Sequence, residues 1–183
     1  GMWRVAVNAQ EQAENAVDTA HFRFIHQTPA VPDGFGEYEG HIRRTGTDGV
    51  QNVTLPDGTT QTIKSAVRSW ANGPGQKITM LQGVTTVWLM VLFTPIEEDD
   101  GEIRFAYTYP PAEPGSIEEQ AFQAACERIS GQTGVIADLP IWDHKIHRKR
   151  PILCDGDGPI LRFRPWFEQF YDFDTEPKTV AAE

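Results

Sequence analysis

Short runs rich in Val, Thr and Ile alternate with turn residues between residues 37 and 108, a pattern that indicates β-strands joined by tight turns. The strongest strand signal is the β-branched and aromatic run KITMLQGVTTVWLMVLFTPI at 77–96. The turn sequence EEDDGE follows it, and IRFAYTYP is expected to return as its partner strand. Earlier strands are predicted near 37–44, 50–55 and 60–70, with the PDG sequence at 56–58 as a turn. Together these segments predict an antiparallel meander.

Helix-forming composition lies on both sides of these strands. Residues 9–26 are rich in Ala and Glu and contain neither Gly nor Pro. Ser116 and Glu119 form a capping box that predicts a helix through about residue 129, where the GQTG sequence interrupts it. Two further helices are predicted at 139–147 and 165–172. The predicted fold class is therefore α+β, an antiparallel sheet flanked by helices at both chain ends.

Composition narrows the class of protein. The chain has 183 residues, of which 39% are hydrophobic, and this predicts one domain with a real core. The formal net charge is -10, which argues against a nucleic-acid partner. No apolar run is long enough to span a membrane, no signal segment is recognisable, and two cysteines are too few for a disulfide framework. We therefore expect a cytoplasmic protein without a membrane span.

The stretch ENAVDTAHFRFIH at 14–26 concentrates groups that can bind a metal. Asn15, Asp18 and His21 follow one another at intervals of three, so on a helix they would share one face. His26 would lie roughly 140° away from His21 around an ideal helix. If both imidazoles bind one metal, the helix must therefore bulge or end between them. Two imidazoles and a remote carboxylate suit an open iron site, whereas a pair of ordinary surface or core histidines is the alternative.

The same stretch resembles the mononuclear-iron motif of Rieske non-haem iron oxygenases, E-N-x-x-D-x-x-H-x-x-x-x-H. The likeness is closest to the oxygenase components of 3-ketosteroid 9-alpha-hydroxylases and to cholesterol 7-desaturases. VLFTPIEEDDGEIRFAYT is similar to the core hairpin of that group. ADLPIWDHKIHRKRPILCDGDGPILRFRPWFEQFY is similar to its C-terminal signature. The resemblance covers most of residues 5–173, and we expect residues 1–183 to form a single mononuclear-iron catalytic domain.

The resemblance implies a role for five residues. His21 and His26 match the two histidines that ligate Fe(II), and Asp138 matches the third ligand. Asp18 matches the aspartate that connects the iron site to a Rieske cluster, normally across a subunit boundary, and Asn15 matches an asparagine beside the iron. The implied fold is the helix-grip (Bet v 1/START-like) arrangement, in which a curved antiparallel sheet wraps around a helix and leaves an apolar pocket. Most members of the family are trimers, so the resemblance also implies a homo-oligomer.

The third ligand has competing interpretations. Asp138 precedes the sequence LPIW, and with Pro140 in the first helical turn it could simply be an N-cap. Asp143, His144 and His147 lie nearby as rival ligands. We expect both of these histidines to lie on a solvated helix instead.

Aromatic residues of the strands and of the C-terminal half could either line a pocket or fill the core. These residues are Trp88, Phe93, Phe105, Tyr107 and Trp142. A curved sheet packed on helices with this many aromatics is expected to enclose an apolar cavity on the order of several hundred Å3, which is the size of a typical ligand site. The cavity should open near His21, His26 and Asp138.

A Rieske cluster requires the motifs C-x-H and C-x-x-H, and neither occurs around Cys126 or Cys154. No [2Fe-2S] centre is therefore expected within these residues. The enzyme hypothesis is a mononuclear Fe(II) oxygenase domain that hydroxylates or desaturates a polycyclic apolar substrate, steroid-like or aromatic. It would use O2 and electrons from a separate Rieske or ferredoxin-type protein. The alternative is a non-catalytic module that binds an apolar small ligand.

Overall fold

The computed structural model describes residues 1–27, 36–55 and 57–172. The strands are β1 (Met2–Val5), β2 (Glu37–Glu39), β3 (Ile42–Thr54), β4 (Thr60–Asn72), β5 (Gln76–Gln82), β6 (Thr86–Glu97) and β7 (Asp100–Thr108). The helices are α1 (Ala9–Glu14), α2 (Ala20–Phe24), α3 (Ile117–Ser130), α4 (Val135–Trp142) and α5 (Ile160–Glu168).

The seven strands form one sheet in the order β1-β7-β6-β5-β4-β3-β2, and every neighbouring pair is antiparallel. The α+β class and the meander from β2 to β7 are therefore confirmed. The run at 77–96 is two strands rather than one, because the chain reverses at Gly83, whose N–H donates to the Thr85 carbonyl at 3.1 Å. Strand β1 was not predicted; four residues carry too short a pattern, and pairing with β7 at the sheet edge stabilises them.

Strand β6 shows how the sheet acquires a buried and an exposed face. Val87, Leu89, Val91 and Phe93 are buried, whereas the intervening Trp88 is 38% exposed. This period of two is the geometry of a strand with one face on the core. The inner face of the sheet is consequently apolar along β6.

The main core lies between this inner face and α4. Val5, Phe93 and Ile103 of the sheet pack with Val135 and Trp142 of α4. The burial of these five side chains holds α4 across the sheet, and α4 carries one of the predicted metal ligands.

A second core cluster attaches α5. Phe163, Trp166 and Phe167 surround Val17 and contact Ala71 of β4. The helix predicted at 165–172 is present but begins earlier in the chain, since α5 runs over Ile160–Glu168. The aromatic spacing indicated the helix, but it could not indicate that the helix begins directly after Pro159.

The helix predicted at 9–26 is two short helices, α1 and α2, joined by a turn. The capping box is confirmed at the start of α3, where the Ser116 hydroxyl accepts from the Glu119 N–H at 3.2 Å. The turn predicted at 56–58 includes Pro56, which lies outside the described residues. Within residues 1–27, 36–55 and 57–172, the helices are too short or too polar to cross a membrane.

The helix predicted at 139–147 was wrong in its bounds, because α4 spans Val135–Trp142. Gly134 is its N-cap residue, and Pro140 lies inside the helix instead of in its first turn. Asp138 belongs to the first turn of α4, so the interpretation of Asp138 as an N-cap is also wrong. Its side chain is available for another role.

Candidate metal centre

Three predicted ligands converge in the structure. His21 of α2, His26 just beyond α2 and Asp138 of α4 each present a ligand atom, and these atoms lie within 4.8 Å of one another. Asp138 is separated from the histidines by more than a hundred residues, so the packing of α4 on the sheet brings it there. Two imidazoles and one carboxylate on this scale form the donor set of a 2-His-1-carboxylate site.

The end of α2 makes this convergence possible. The helix stops at Phe24, and the His26 N–H reaches back to the His21 carbonyl at 3.4 Å in a wider turn. The two imidazole rings come within 4.9 Å of each other, centroid to centroid, at an interplanar angle of 75°. The helix ends between the histidines, as their angular separation requires.

Backbone carbonyls hold both imidazoles. His21 Nδ1 donates to the Asp18 carbonyl, and His26 Nδ1 donates to the Thr133 carbonyl at 2.9 Å. A proton held on Nδ1 leaves the lone pair on Nε2, which is the tautomer that metal-binding histidines need.

His21 Nε2 is the atom that argues most directly for a metal. It is buried, and it has no hydrogen-bond partner among the described residues. Buried polar atoms are nearly always paired, and an unpaired one calls for an explanation. A divalent cation between His21, His26 and Asp138 would satisfy this nitrogen, so the residues present fit the Fe(II) that the resemblance implies.

Asp138 is only 5% exposed, and two neighbours share its carboxylate. His26 Nε2 lies 3.4 Å from Oδ2, and Asn15 Nδ2 donates to the same oxygen at 3.4 Å. Asn15 therefore contacts the predicted carboxylate ligand.

The protonation behaviour of the two histidines differs. Burial lowers the pKa of His21, although the Asp18 carbonyl opposes this effect. The hydrogen bond from His26 to Asp138 raises the pKa of His26, against the effect of burial. A lowered pKa keeps His21 neutral, as a metal ligand must be.

Asp18 lies in the turn between α1 and α2, and the expected shared helical face with Asn15 and His21 does not exist. The backbone carbonyl of Asp18, rather than its carboxylate, orients the His21 ring. Its carboxylate lies 3.4 Å from the His21 N–H. The Asp18 side chain also lines a second cavity of about 320 Å3, together with Asp138 and Lys145.

The rival ligands are engaged elsewhere. Asp143 accepts from the Ala6 N–H at 2.9 Å, and His144 Nδ1 donates to the Pro140 carbonyl at 2.8 Å. His147 Nδ1 lies 3.0 Å from a carboxylate oxygen of Glu11. The expected solvated helix around these histidines is wrong, because α4 ends at Trp142.

A buried network of ion pairs around Glu11 and Glu14 was not predicted from the sequence. Arg164 of α5 contacts Glu14 at 2.6 Å and Glu11 at 3.3 Å, and Lys145 also contacts Glu11 at 3.2 Å. Both carboxylates are almost fully buried. Glu14 opens the iron-type motif, and Arg164 belongs to the C-terminal signature, so the two resembling segments meet here. Spacing alone could not pair residues so far apart.

A cavity of about 570 Å3 adjoins the three ligands, and the predicted cavity is therefore confirmed. Phe93, Phe105 and Trp142 line it. Tyr107 packs beside the core with its hydroxyl 2.6 Å from that of Ser130. Trp88 lies on the opposite face of the sheet. Of the five aromatic residues, three line the cavity, two of which also belong to the core, whereas Trp88 does neither.

Solved structures share this fold. The Pseudomonas putida CBB5 protein NdmA with caffeine matches 91% of this chain and 49% of its own, with a TM-score of 0.63 and 12% identity. Apo dicamba monooxygenase matches 92% of this chain and 54% of its own, with a TM-score of 0.59 and 12% identity. The fold is therefore that of Rieske oxygenase catalytic domains.

Sequence comparison identifies the family of the chain more narrowly than the fold does. The family model described as 3-Ketosteroid 9alpha-hydroxylase C-terminal domain matches residues 2–171, and the chain belongs to that family. A Rhodococcus rhodochrous 3-ketosteroid-9-alpha-monooxygenase, oxygenase component, is 30% identical over 90% of this chain and 44% of its own length. The cholesterol 7-desaturase of Drosophila melanogaster is 44% identical over 25% of this chain and 10% of its own. The chain thus spans less than half of these relatives.

Proposed function

We propose that the chain is the catalytic part of an oxygenase that hydroxylates or desaturates a polycyclic apolar substrate, steroid-like or aromatic. In this proposal His21, His26 and Asp138 hold one Fe(II). The observation that carries it is the buried, unpaired Nε2 of His21, which faces the other two ligands in the wall of a large cavity. The membership of the chain in a family of monooxygenase components supports the same reaction class.

In this proposal each residue of the site has its own role. Fe(II) in a site of two imidazoles and one carboxylate supplies the activation of dioxygen. The Asp18 and Thr133 carbonyls keep the imidazoles in the metal-binding tautomer, and Asn15 holds the carboxylate of Asp138. The apolar wall of the cavity, with Leu89 on β6, binds the substrate skeleton and excludes water.

Electrons would come from a Rieske [2Fe-2S] cluster outside these 183 residues, because they contain no C-x-H or C-x-x-H motif. Asp18 is the proposed point of entry. Its side chain lines the second cavity, which also reaches His21 and Asp138. A neighbouring subunit of a homo-oligomer could present the cluster there, as the family resemblance implies.

The site assignment is tested by the iron content of the purified protein after anaerobic reconstitution with Fe(II). We expect one iron per chain in the wild type and none in His21→Ala or in His26→Ala. His144→Ala is the matched control, since His144 lies nearby but bonds to the Pro140 carbonyl. Unchanged iron in both His21→Ala and His26→Ala would show that the site assignment is wrong.

A binding module without redox chemistry is the second candidate. The specific observation in its favour is the apolar lining of the cavity, which includes Val91, Phe93 and Ile103 and could hold an apolar ligand by itself. The two candidates differ in iron stoichiometry. A protein that binds an apolar ligand tightly but takes up no Fe(II) would be a module of this second kind.

A further inference from the structure

The side chains on the inner face of the sheet change from charged and polar near β3 to apolar on β6 and β7. Residues in register on antiparallel strands point to the same face, and one such row crosses five strands. In order from β3 to β7 the row reads Arg43, Ala71, Lys77, Val91 and Phe105. All five line the large cavity. The row is cationic on β3 and β5 and apolar on β6 and β7.

The next row repeats this division. Thr45, Ser69, Thr79 and Leu89 lie in register from β3 to β6, and all four line the cavity. The hydroxyls of Ser69 and Thr79 lie 2.9 Å apart. On the sheet side of the cavity, β3 to β5 therefore contribute charged and hydroxyl groups, whereas the lining residues of β6 and β7 are apolar.

The charges of the cavity oppose those of the chain. The chain carries 26 acidic and 16 basic residues, yet the described cavity lining contains Arg43, Lys77 and Arg128 and only the carboxylate of Asp138. Asp138 is the proposed ligand of the iron. Cations that face a cavity in an acidic protein attract anions to it.

Lys77 is the cation on the sheet side of the cavity that has no partner among the described residues. It is half-buried, and its ammonium has no hydrogen bond or ion pair to a described residue, whereas Arg43 is held at its Nε by the Tyr38 hydroxyl at 3.2 Å. Burial lowers the pKa of Lys77 and the charge of Arg43 lowers it further, while the negative charge of Asp138 opposes both effects. An unpaired ammonium in such a place is costly, and a bound anion would offset that cost.

We propose that the cavity binds an amphipathic carboxylate, whose apolar skeleton lies on β6 and β7 and whose carboxylate pairs with Lys77 beside Arg43. This inference rests on the proposed function for the reaction of the ligand, but the binding itself does not require iron. A steroid-like acid is one member of the class, since its skeleton is apolar and rigid and its acid group lies at one end.

The test compares two probes with one skeleton: a 3-keto steroid with a side-chain carboxylate, and its methyl ester. Calorimetric titration gives the dissociation constant of each. We expect the wild type to bind the acid about 10-fold or more tightly than the ester, since hydrogen bonds between charged groups are the strong ones. Lys77→Met should abolish this preference by weakening the acid alone, and Lys77→Arg should keep it. Lys64→Met, on an exposed part of β4, is the control and should behave as the wild type.

Equal affinity for acid and ester in the wild type would overturn the inference, as would a preference that survives in Lys77→Met or the failure of both probes to bind. The iron content of the same samples separates this result from the proposed function. A preference for the acid without iron uptake would support the carboxylate site and reject the oxygenase. Full iron uptake without the preference would reject the carboxylate site alone.

Discussion

At the residue scale, the candidate centre depends on which nitrogen of each imidazole is already hydrogen-bonded. His21 and His26 both give their Nδ1 proton to backbone carbonyls, so their Nε2 atoms are left to converge on Asp138. A backbone carbonyl is present whatever side chain the residue carries. The hydrogen bond that orients the His21 ring is therefore made by the Asp18 backbone, whereas the Asp18 carboxylate contacts the His21 N–H.

Asp18→Asn tests the proposed route of the electrons on this basis. Iron should remain bound, because the Asp18 carbonyl that orients His21 is retained. Turnover supported by a reduced Rieske-type protein should fall by at least about 10-fold, the usual effect of losing a supporting carboxylate near a metal. Iron content and product formation are measured on the same preparation.

Asp155→Asn is the control for that experiment, since Asp155 lies on an exposed turn. Unchanged turnover in Asp18→Asn would show that the Asp18 carboxylate is not the route.

At the element scale, the break between α1 and α2 places the ligands. The connecting turn packs so closely on the loop before α5 that a Cβ at Gly158 would lie 1.6 Å from the Val17 carbonyl oxygen. Only a glycine permits this approach of two backbones. The loop before α5 thereby positions the turn that contains Asp18 and leads into His21.

Gly158→Ala should therefore displace this turn. We expect the free energy of unfolding to fall by about 1–3 kcal/mol, the usual cost of forcing an extra group into a packed site, and iron affinity to fall with it. Gly156→Ala is the matched control, because its Cβ would meet nothing closer than the Cys154 sulfur at 3.8 Å. Urea denaturation and iron titration of both variants provide the measurement, and equal stability of the two would contradict the role of Gly158.

The ion network between α1 and α5 is a second contact between elements. Arg164 is 9% exposed and Glu14 is 2% exposed, so neither charge can be left alone without a large desolvation cost. We expect Arg164→Met to lower the free energy of unfolding by about 3–5 kcal/mol, as measured by urea denaturation.

The double variant Glu14→Leu, Arg164→Met should recover much of that loss, because it removes both partners of the buried pair. A loss that persists undiminished in the double variant would show that packing of the Arg164 side chain, and not its charge, holds α5 in place.

At the scale of the whole molecule, the centre joins two distant parts of the chain. His21 and His26 belong to the N-terminal segment, whereas Asp138 lies on α4, which the main core fixes against β6 and β7. A metal bound at all three side chains therefore links α2 to α4 beside the large cavity. Such a link stabilises the folded state only, because the unfolded chain does not hold the three ligands together.

Fe(II) should accordingly raise the thermal midpoint of unfolding under anaerobic conditions. At a free concentration about 100 times the dissociation constant, the expected gain is about 2.7 kcal/mol. Differential scanning calorimetry with and without Fe(II) measures it. Asp138→Ala should lose the gain, and Asp155→Ala, on the exposed turn, should keep it; a gain that survives in Asp138→Ala would place the metal elsewhere.

Local patterns were sufficient for the meander as a class, for β4 and β7, and for the position of α3, but the strands predicted at 37–44 and 50–55 are instead the short β2 and the long β3. The alternation along β6 and the Ser116 capping box each act within a few residues, so the sequence contains their cause. The register of antiparallel neighbours in a meander follows from short connections as well. The edge strand β1 escaped this reasoning because its partner strand β7 and the core around Val5 lie about a hundred residues away along the chain.

The sequence by itself determined the two histidines, the motif around them and the resemblance that named Asp138 as their partner. Spacing could also establish that the helix has to end between His21 and His26, because the period of a helix is a local property. Tertiary structure alone decided that Asp138 rather than Asp143 faces the histidines, and that Glu14 pairs with Arg164. These choices depend on how α4 and α5 pack on the rest of the fold, and such packing joins residues whose separation along the chain carries no periodic signal.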